Sequence, residues 1–591
     1  MLIPVRNKYR QFIEINGFWK FKIDRDNSGM QKKLYNGFES DVEIAVPGSW
    51  NEQLEELNLL HYTGSAWYST SVYIPEEFAG KKIWLRVGSA DYHSTVWVNG
   101  KQIGENHLGF LPFQFDITND VRTDAVAAIV IRINNELDDS SIPQGIFPHY
   151  YADENRIREE TYPPTRFDFS PFGGIHRPVV LFTTPNQYIS GIRAATKIHK
   201  GTKATAIVSV ETHNVTHGHL RATIRSKKFT ISNEIPISKN ETVFELEIDE
   251  CVLWEPGNPF LYDLDIRILN SGTFVDEYTL PIGIREIKTT HDALLINGKK
   301  VFLKGFGKHE DFWAAGKGLF LPLIVKDFQL LQWINANSFR TSHYPYADEV
   351  LQYADRHGIL IIDEVPAVSI DVRYVTKETI ANHKESIRRL IERDYNHPSV
   401  IMWAIGNEPN LVGAEEYFNG SGRKYWKEMF DYSRTLDQSR PMTVPNCQRA
   451  GINDPVFEFS DILTINRYYG WYENPGQLEK AMELMEREMD AIYKKYKKPL
   501  CVTEFGADTV TGLHSTSDQM FTEEYQSKFL TEYIRLIESK PYTIGEHVWN
   551  FADFRTPQHF RRVVMNLKGV FTRSREPKLA AFTLKELWKK K

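Results

Sequence analysis

From about Asp292 onward, short apolar runs alternate with amphipathic segments, and few folds accept that rhythm. Eight runs read as strands: Val301 to Gly307, Ser338 to His343, Ile359 to Glu364, Val400 to Asn407, Pro441 to Val444, Ile462 to Asn466, Leu500 to Glu504 and Ile544 to Asn550. Helical stretches separate them, among them Lys377 to Asp394, Leu478 to Lys495 and Thr522 to Glu538, with Lys578 to Lys590 as the last. Parallel strands need crossover connections, so strands and helices alternating over about 300 residues predict a (β/α)8 TIM barrel.

The preceding half has a different period. With 591 residues the chain is long enough for several cores. As far as Pro185, short alternating runs such as Lys82-Ile-Trp-Leu-Arg-Val, Ser94-Thr-Val-Trp-Val-Asn-Gly and Ala128-Ile-Val-Ile-Arg-Ile predict a jelly-roll-like β-sandwich. The Asn99-Gly100 pair predicts a tight hairpin inside it. Between Tyr188 and Ile287, the runs Ala204-Thr-Ala-Ile-Val-Ser-Val, Thr242-Val-Phe-Glu-Leu-Glu-Ile and Tyr262-Asp-Leu-Asp-Ile-Arg-Ile predict an immunoglobulin-like β-sandwich. The expected division is 1–185, 186–287 and 288–591.

Lys and Arg total 71 against 77 Asp and Glu, a formal charge of −6, with no long run of one sign apart from Lys589 to Lys591. That balance offers no basic surface for nucleic acid or acidic membranes. No segment approaches the ~20 apolar residues of a membrane span, and the N-terminal residues lack a signal-like apolar stretch, so a cytoplasmic protein is expected. The cysteines Cys251, Cys447 and Cys501 lack CxxC spacing and are expected to be reduced core residues, not a disulfide framework or a zinc site. Aromatic residues make up 13% of the chain, which suits sugar stacking and β-rich cores alike, so their positions must decide.

TIM-barrel sites form at the C-terminal ends of the strands, and two glutamates fall there. The fourth candidate strand runs Trp403-Ala-Ile-Gly-Asn-Glu-Pro, placing Asn407 and Glu408 at the rim, and the seventh ends Val502-Thr-Glu-Phe-Gly, placing Glu504 there. Cleaving a glycosidic bond takes one carboxylic acid to protonate the leaving oxygen and a second carboxylate to attack or to activate water. A lone rim glutamate reads more readily as a helix-terminal or ion-pair residue, and it is the pairing that favours chemistry. His309-Glu310 has no second histidine four residues on, so it is not a zinc-protease motif.

Longer stretches carry a resemblance: Gly305-Phe-Gly-Lys-His-Glu-Asp, Ala336-Asn-Ser-Phe-Arg-Thr-Ser-His-Tyr-Pro-Tyr, Asn396-His-Pro-Ser-Val, Asn466-Arg-Tyr-Tyr-Gly-Trp-Tyr and Val548-Trp-Asn-Phe-Ala-Asp-Phe. Over essentially the whole chain, the sequence resembles glycoside hydrolase family 2 and, within it, the β-glucuronidases. The resemblance implies that Glu408 is the acid/base and Glu504 the nucleophile of a retaining enzyme, with carboxyl groups about 5 to 5.5 Å apart. Glu408 must then start protonated, through burial and the charge of Glu504, while Glu504 starts ionised.

The same resemblance implies that Arg340 and Tyr468 orient Glu504, and that Asn407 meets the substrate 2-hydroxyl. Asn466 and Trp549 line the sugar site, Asp168 reaches the sugar hydroxyls from the N-terminal domain, and His309 and His343 are each either a sugar-subsite residue or a satisfied rim histidine. Asn566-Leu-Lys568 resembles the Asn-x-Lys motif that binds a uronate carboxylate, with Arg562 and Tyr472 at matching positions.

The implied activity is exo-hydrolysis of β-D-glucuronides through a covalent glycosyl-enzyme, without a cofactor, by a homo-oligomer, either dimer or tetramer. A β-galacturonidase would share the carboxylate requirement. A β-galactosidase or β-mannosidase would not need Asn566 and Lys568, and a non-catalytic carbohydrate-binding protein would not need both glutamates. After Ala367-Val-Ser-Ile the chain enters the Lys377 helix without the long insertion of the best-known bacterial members, so an open entrance suited to larger aglycones is expected.

Overall fold

The computed structural model describes residues 1–146, 161–199, 201–411, 417–418 and 420–589. Its C-terminal part is the expected barrel. The strands are β1 (Leu303–Gly307), β2 (Ser338–Arg340), β3 (Leu360–Glu364), β4 (Val400–Ala404), β5 (Met442–Thr443), β6 (Leu463–Asn466), β7 (Leu500–Glu504) and β8 (Thr543–Val548). All pair in parallel in the order β5-β4-β3-β2-β1-β8-β7-β6, and the ring is joined between β5 and β6 by the parallel bridge Asn446–Ile465. Helices Lys377–Asp394, Leu478–Tyr496 and Glu523–Ser539 fall where amphipathic spacing places them, and the last described helix is Leu579–Leu587; Lys590 lies outside the described residues.

Several strands end earlier than their apolar runs suggest. β2 stops at Arg340, β4 at Ala404 and β8 at Val548, because the loops there take over the backbone hydrogen bonds: Trp549 N–H donates to Phe505 O (2.8 Å) and Asn407 N–H to Ala367 O (3.0 Å). The run from Val301 also divides. Lys299–Val301 pairs with Leu294–Ile296 in a small antiparallel sheet, and the barrel strand begins at Leu303. Leu294 and Ile296 of that sheet pack with Leu303, Leu360, Ile362, Ile401, Met402 and Ile544 in one apolar cluster, so the antiparallel sheet shares a core with the barrel strands.

The N-terminal part is a β-sandwich of a five-stranded and a six-stranded sheet around Trp19, Phe21, Trp50, Val87 and Ile131. Asn99 (φ 51°) and Gly100 (φ 79°) join His93–Val98 to Lys101–Asn106, both in the left-handed conformation that a two-residue hairpin turn matches to strand twist. The next sandwich has sheets of three and four strands, as an immunoglobulin-like domain requires. Its strand Glu241–Ile248 alternates exposed and buried residues without a break. Cys251 and Cys501 are buried and all three cysteines are free. Among the described residues, no helix is long and apolar enough to cross a membrane.

Buried polar contacts fix the first sandwich on the barrel rim. Lys317 Nζ pairs with Asp91 Oδ2 (2.6 Å) and lies over the rings of Phe110 (3.7 Å) and Tyr344 (4.0 Å). Arg573 bridges Glu52 and Asp311, Arg177 meets Glu310 (3.0 Å), and Gln144 Oε1 accepts from Asp371 N–H (2.8 Å). Removing one partner of such a pair leaves a buried charge unmatched, at a cost of about 3–5 kcal/mol. Lys317→Ala is therefore expected to lower the midpoint of the first urea unfolding transition by a loss of that order; an unchanged midpoint would show that this pair does not hold the two domains together.

Candidate active site

Beyond β4 the backbone turns inward. Asn407 bridges to Val368, and Glu408 takes a left-handed conformation (φ 44°) that costs of order 1 kcal/mol and is held by its N–H donating to Pro445 O (2.9 Å). The Glu408 Oε1 accepts from Asn466 Nδ2 (2.9 Å). The Asn466 amide is oriented from its other side, where Thr503 Oγ1 donates to its Oδ1 (2.8 Å). Asn407 Oδ1 lies 3.3 Å from Asn466 Nδ2 and 3.4 Å from Arg340 Nη1.

Glu504 closes β7 and is 4% exposed. Arg340 Nη2 donates to its Oε1, and Tyr468 Oη donates to its Oε2 (2.7 Å). The other arm of Arg340, Nη1, donates to Glu364 Oε2 (2.5 Å), a residue at the end of β3. His343 Nδ1 lies 2.7 Å from Glu364 Oε1, and its Nε2 is 3.8 Å from Glu504. Trp549 stacks on His343 (5.0 Å between centroids) and meets His309 edge to face (5.3 Å). His309 is enclosed by Phe554, Phe169 and Tyr344, whose hydroxyl is 3.1 Å from its Nδ1.

A second cluster stands beside the first. Phe167 and Phe169 stack on each other (4.2 Å) in buried positions, which leaves the intervening Asp168 exposed. Arg562 reaches Asp168 through Nε (3.0 Å) and Nη2 (2.5 Å), and Asn566 Nδ2 donates to the same carboxylate (2.9 Å). Tyr472 Oη accepts from Arg562 Nη2 and from Lys568 Nζ, each at 2.9 Å. Lys568, 1% exposed, also pairs with Asp508 and lies over the rings of Tyr472 (4.8 Å) and Tyr468 (5.8 Å). Tyr468 thus joins the two clusters. Among the described residues, no group of three His, Cys, Asp or Glu side chains is placed to hold a metal ion.

The model of the family 2 glycosyl hydrolase sugar-binding domain matches residues 12–185, that of the central family 2 domain residues 187–285, and that of the TIM barrel domain residues 287–591. The chain belongs to glycosyl hydrolase family 2. Among its relatives, a beta-glucuronidase of Paenibacillus borealis is 37% identical over 100% of this chain and 98% of its own length. The human beta-glucuronidase is 36% identical over 100% of this chain and 92% of its own. The structure of a Ruminococcus gnavus b-glucuronidase in complex with D-glucuronic acid superposes with a TM-score of 0.91 at 37% identity, covering 100% of this chain and 99% of that one.

In this glycoside hydrolase, burial is the chief cause of a raised Glu408 carboxyl, opposed by the Asn466 hydrogen bond. Burial was expected to raise it and does; the charge of Glu504, expected to add to the rise, is not among its main causes. Burial also pushes Glu504 up to about 8, with Arg340 opposing and Glu408 adding to the rise. Both carboxyls are raised, and the donors around them differ. A guanidinium and a phenol converge on Glu504, whereas Glu408 has one neutral amide, so the negative charge belongs on Glu504. His309 and His343 are pushed well below the ordinary histidine range by burial and nearby cations, which keeps both rings neutral.

The structure brings every predicted site residue into these two clusters, and it adds Glu364 and Asp508. It also pairs Asp168 directly with Arg562 and Asn566, which the sequence reading had assigned to different parts of the sugar. Glu364 had a signal, being the polar end of an apolar run; Asp508 lies four residues past its strand and had none. Because the Tyr468 hydroxyl favours the ionised form of Glu504, Tyr468→Phe is expected to raise the titration of that carboxyl by about one pH unit, followed by NMR of carbon-labelled glutamate. A fall or no change would show that the hydroxyl does not stabilise the charge.

Proposed function

We propose that this family 2 hydrolase is a retaining, exo-acting β-glucuronidase that converts a β-D-glucuronide and water to D-glucuronate and an alcohol. The observation that carries the reading is Lys568, a buried cation beside Arg562, Asn566 and Tyr472 and in contact with the ring of Tyr468, which itself touches Glu504. A buried ammonium and a half-buried guanidinium with neutral donors suit a carboxylate on the substrate, and a neutral sugar has no use for them. The relatives that are beta-glucuronidases support the same substrate class.

In the proposed reaction the uronate carboxylate lies toward Lys568 and the anomeric carbon toward Glu504. A Glu504 oxygen attacks the anomeric carbon as the bond to the aglycone oxygen breaks, and the Glu408 proton passes to that leaving oxygen. The now ionised Glu408 takes a proton from water, whose oxygen attacks the same carbon and releases Glu504. Two inversions leave the β configuration in the product. Asn407 meets the 2-hydroxyl, where a hydrogen bond strengthens as the ring becomes oxocarbenium-like. Trp549, His309 and His343 form the wall behind the sugar. Arg340 and Tyr468 hold the charge of Glu504 where it develops and returns.

A panel of chromogenic glycosides tests the substrate. Glucuronide is expected to be cleaved fastest, ahead of galacturonide, and Lys568→Ala is expected to lower its kcat/KM by about 100-fold while leaving any β-galactoside rate unchanged. Unaltered glucuronide cleavage by that variant would refute uronate recognition by this cluster. Glu504→Gln should lose roughly 10⁴-fold or more. Proton NMR of the first product formed should show β-glucuronate; α-glucuronate appearing first would rule out retention. The passage from Ile370 to the Lys377 helix is a single turn, Val372–Tyr374, and a uronate-terminated oligosaccharide is expected to be cleaved at least as fast as a phenolic glucuronide. A strong preference for the phenolic compound would contradict an open aglycone side.

A further inference from the structure

Glu364 has no exposure to water, stands at the C-terminal end of β3 and takes no part in the bond-making steps proposed above. Its two oxygens are both engaged: Oε2 accepts from Arg340 Nη1 (2.5 Å) and Oε1 meets His343 Nδ1 (2.7 Å). Its backbone N–H is held in turn by Thr341 Oγ1 (2.8 Å). The charged and titratable groups that face it are Arg340 and His343, with Glu504 on the far side of the guanidinium.

Arg340 shows why this matters. Its Nε is buried without a hydrogen-bond partner, so the orientation of its planar head rests on its terminal nitrogens. Nη2 goes to Glu504, and Nη1 goes to Glu364, with only long contacts to Asn407 (3.4 Å) and His343 (3.2 Å) besides. Without Glu364 the guanidinium is free to swing about its bond to Glu504. One positive charge is also shared between two carboxylates, so the hold of Arg340 on Glu504 depends on the charge of Glu364.

We propose that Glu364 is a positioning residue for the glycosidic reaction, clamping Arg340 and His343 so that one arm of the guanidinium is committed to Glu504. The inference rests on the reading of Glu504 as nucleophile. When Glu364 binds Nη1, the Nη2 arm meets the Oε1 of Glu504 while Tyr468 holds Oε2, and the carboxylate is fixed at both oxygens. Burial pushes the Glu364 carboxyl up to about 7 while Arg340 opposes the rise, and its ionised form draws the His343 Nδ1–H toward itself and leaves Nε2 as an acceptor beside Glu504, a tautomer suited to a sugar hydroxyl.

The test uses wild type, Glu364→Gln and Glu364→Ala with a 2-deoxy-2-fluoro-β-glucuronosyl fluoride, which labels a nucleophile without needing an acid for its leaving group. Labelling rates are followed against pH, alongside KM for an aryl glucuronide and thermal unfolding. Glu364→Ala is expected to label about 10–100-fold more slowly with KM within about twofold, since misplacing a reacting group by about 1 Å costs that much. Glu364→Gln keeps the shape and removes a negative charge, so Arg340 stabilises ionised Glu504 more strongly and the acidic limb of its labelling profile should move to lower pH. Wild-type labelling rates and an unmoved limb in both variants would overturn the proposal, as would losses uniform across pH that merely follow a fall in Tm. If wild type itself is not labelled at Glu504, the nucleophile reading fails and this inference falls with it.

Discussion

A guanidinium sealed from water, as that of Arg340 is, stays charged, and its burial is stable only where carboxylates meet it inside the fold. Here they come from different parts of the ring: Glu364 from β3, next to β2, and Glu504 from β7, which is three places away along the sheet. The side chain therefore reaches across the mouth of the barrel and ties strands that share no backbone hydrogen bonds. Each carboxylate is buried at a cost that the shared guanidinium offsets, so the three groups are stable only together. Much of the polar rim follows from this arrangement. Tyr468 and Asn466 approach from β6 because the lone pairs of the two rim glutamates need further donors, and Trp549 covers the guanidinium face at 5.8 Å.

The barrel does not complete the proposed sugar site by itself. Asp168 comes from the first sandwich, and its place depends on two phenylalanines with buried faces, each of which contributes roughly 2 kcal/mol on burial. Phe169 packs against His309 and Tyr344 of the barrel, so the loop is anchored in the same aromatic layer as the proposed sugar wall. Arg166 and Gln144 of that sandwich reach Ser369 and Asp371 beyond β3. The domain interface is thus polar and buried together, with Asp91–Lys317 and Glu52–Arg573 at its centre. Such an interface permits few registers, because any slip leaves charges without partners. Register is what Asp168 requires to meet Arg562 and Asn566.

Apolar periodicity made the strands and helices of the barrel legible, since a strand such as Val400–Ala404 buried on both faces is an unbroken apolar run. It failed at the strand ends, where Asn407, His343 and Asn550 leave the sheet although each closes a run that reads as strand; hydrogen bonds to neighbouring loops decide those ends, and no local pattern records them. The two rim glutamates were readable because glycoside hydrolysis calls for paired carboxylates and both fall at the ends of barrel strands. Their supports were less so. Asp508 matters only because the chain returns Lys568 and Arg562 to it from about sixty residues away, a long-range contact. The direct pairing of Asp168 with Arg562 spans 394 residues and two domains.

The loop after β6 gives the geometry its consequence for the proposed reaction. Tyr468 holds Glu504, and Tyr472, one helical turn further along, holds Arg562 and Lys568; the two rings are 5.2 Å apart. The anomeric carbon and the carboxylate sit at different positions of one rigid pyranose ring, so a loop that touches the partners of both constrains the sugar at two points. Binding energy gained at the carboxylate is then available to align the anomeric carbon with Glu504, and interactions remote from the breaking bond raise the rate and not only the affinity. A neutral sugar would leave Lys568 satisfied by Asp508 and Tyr472 alone. It would lose both the contact and the alignment, so discrimination against it belongs in the rate of the chemical step as well as in binding.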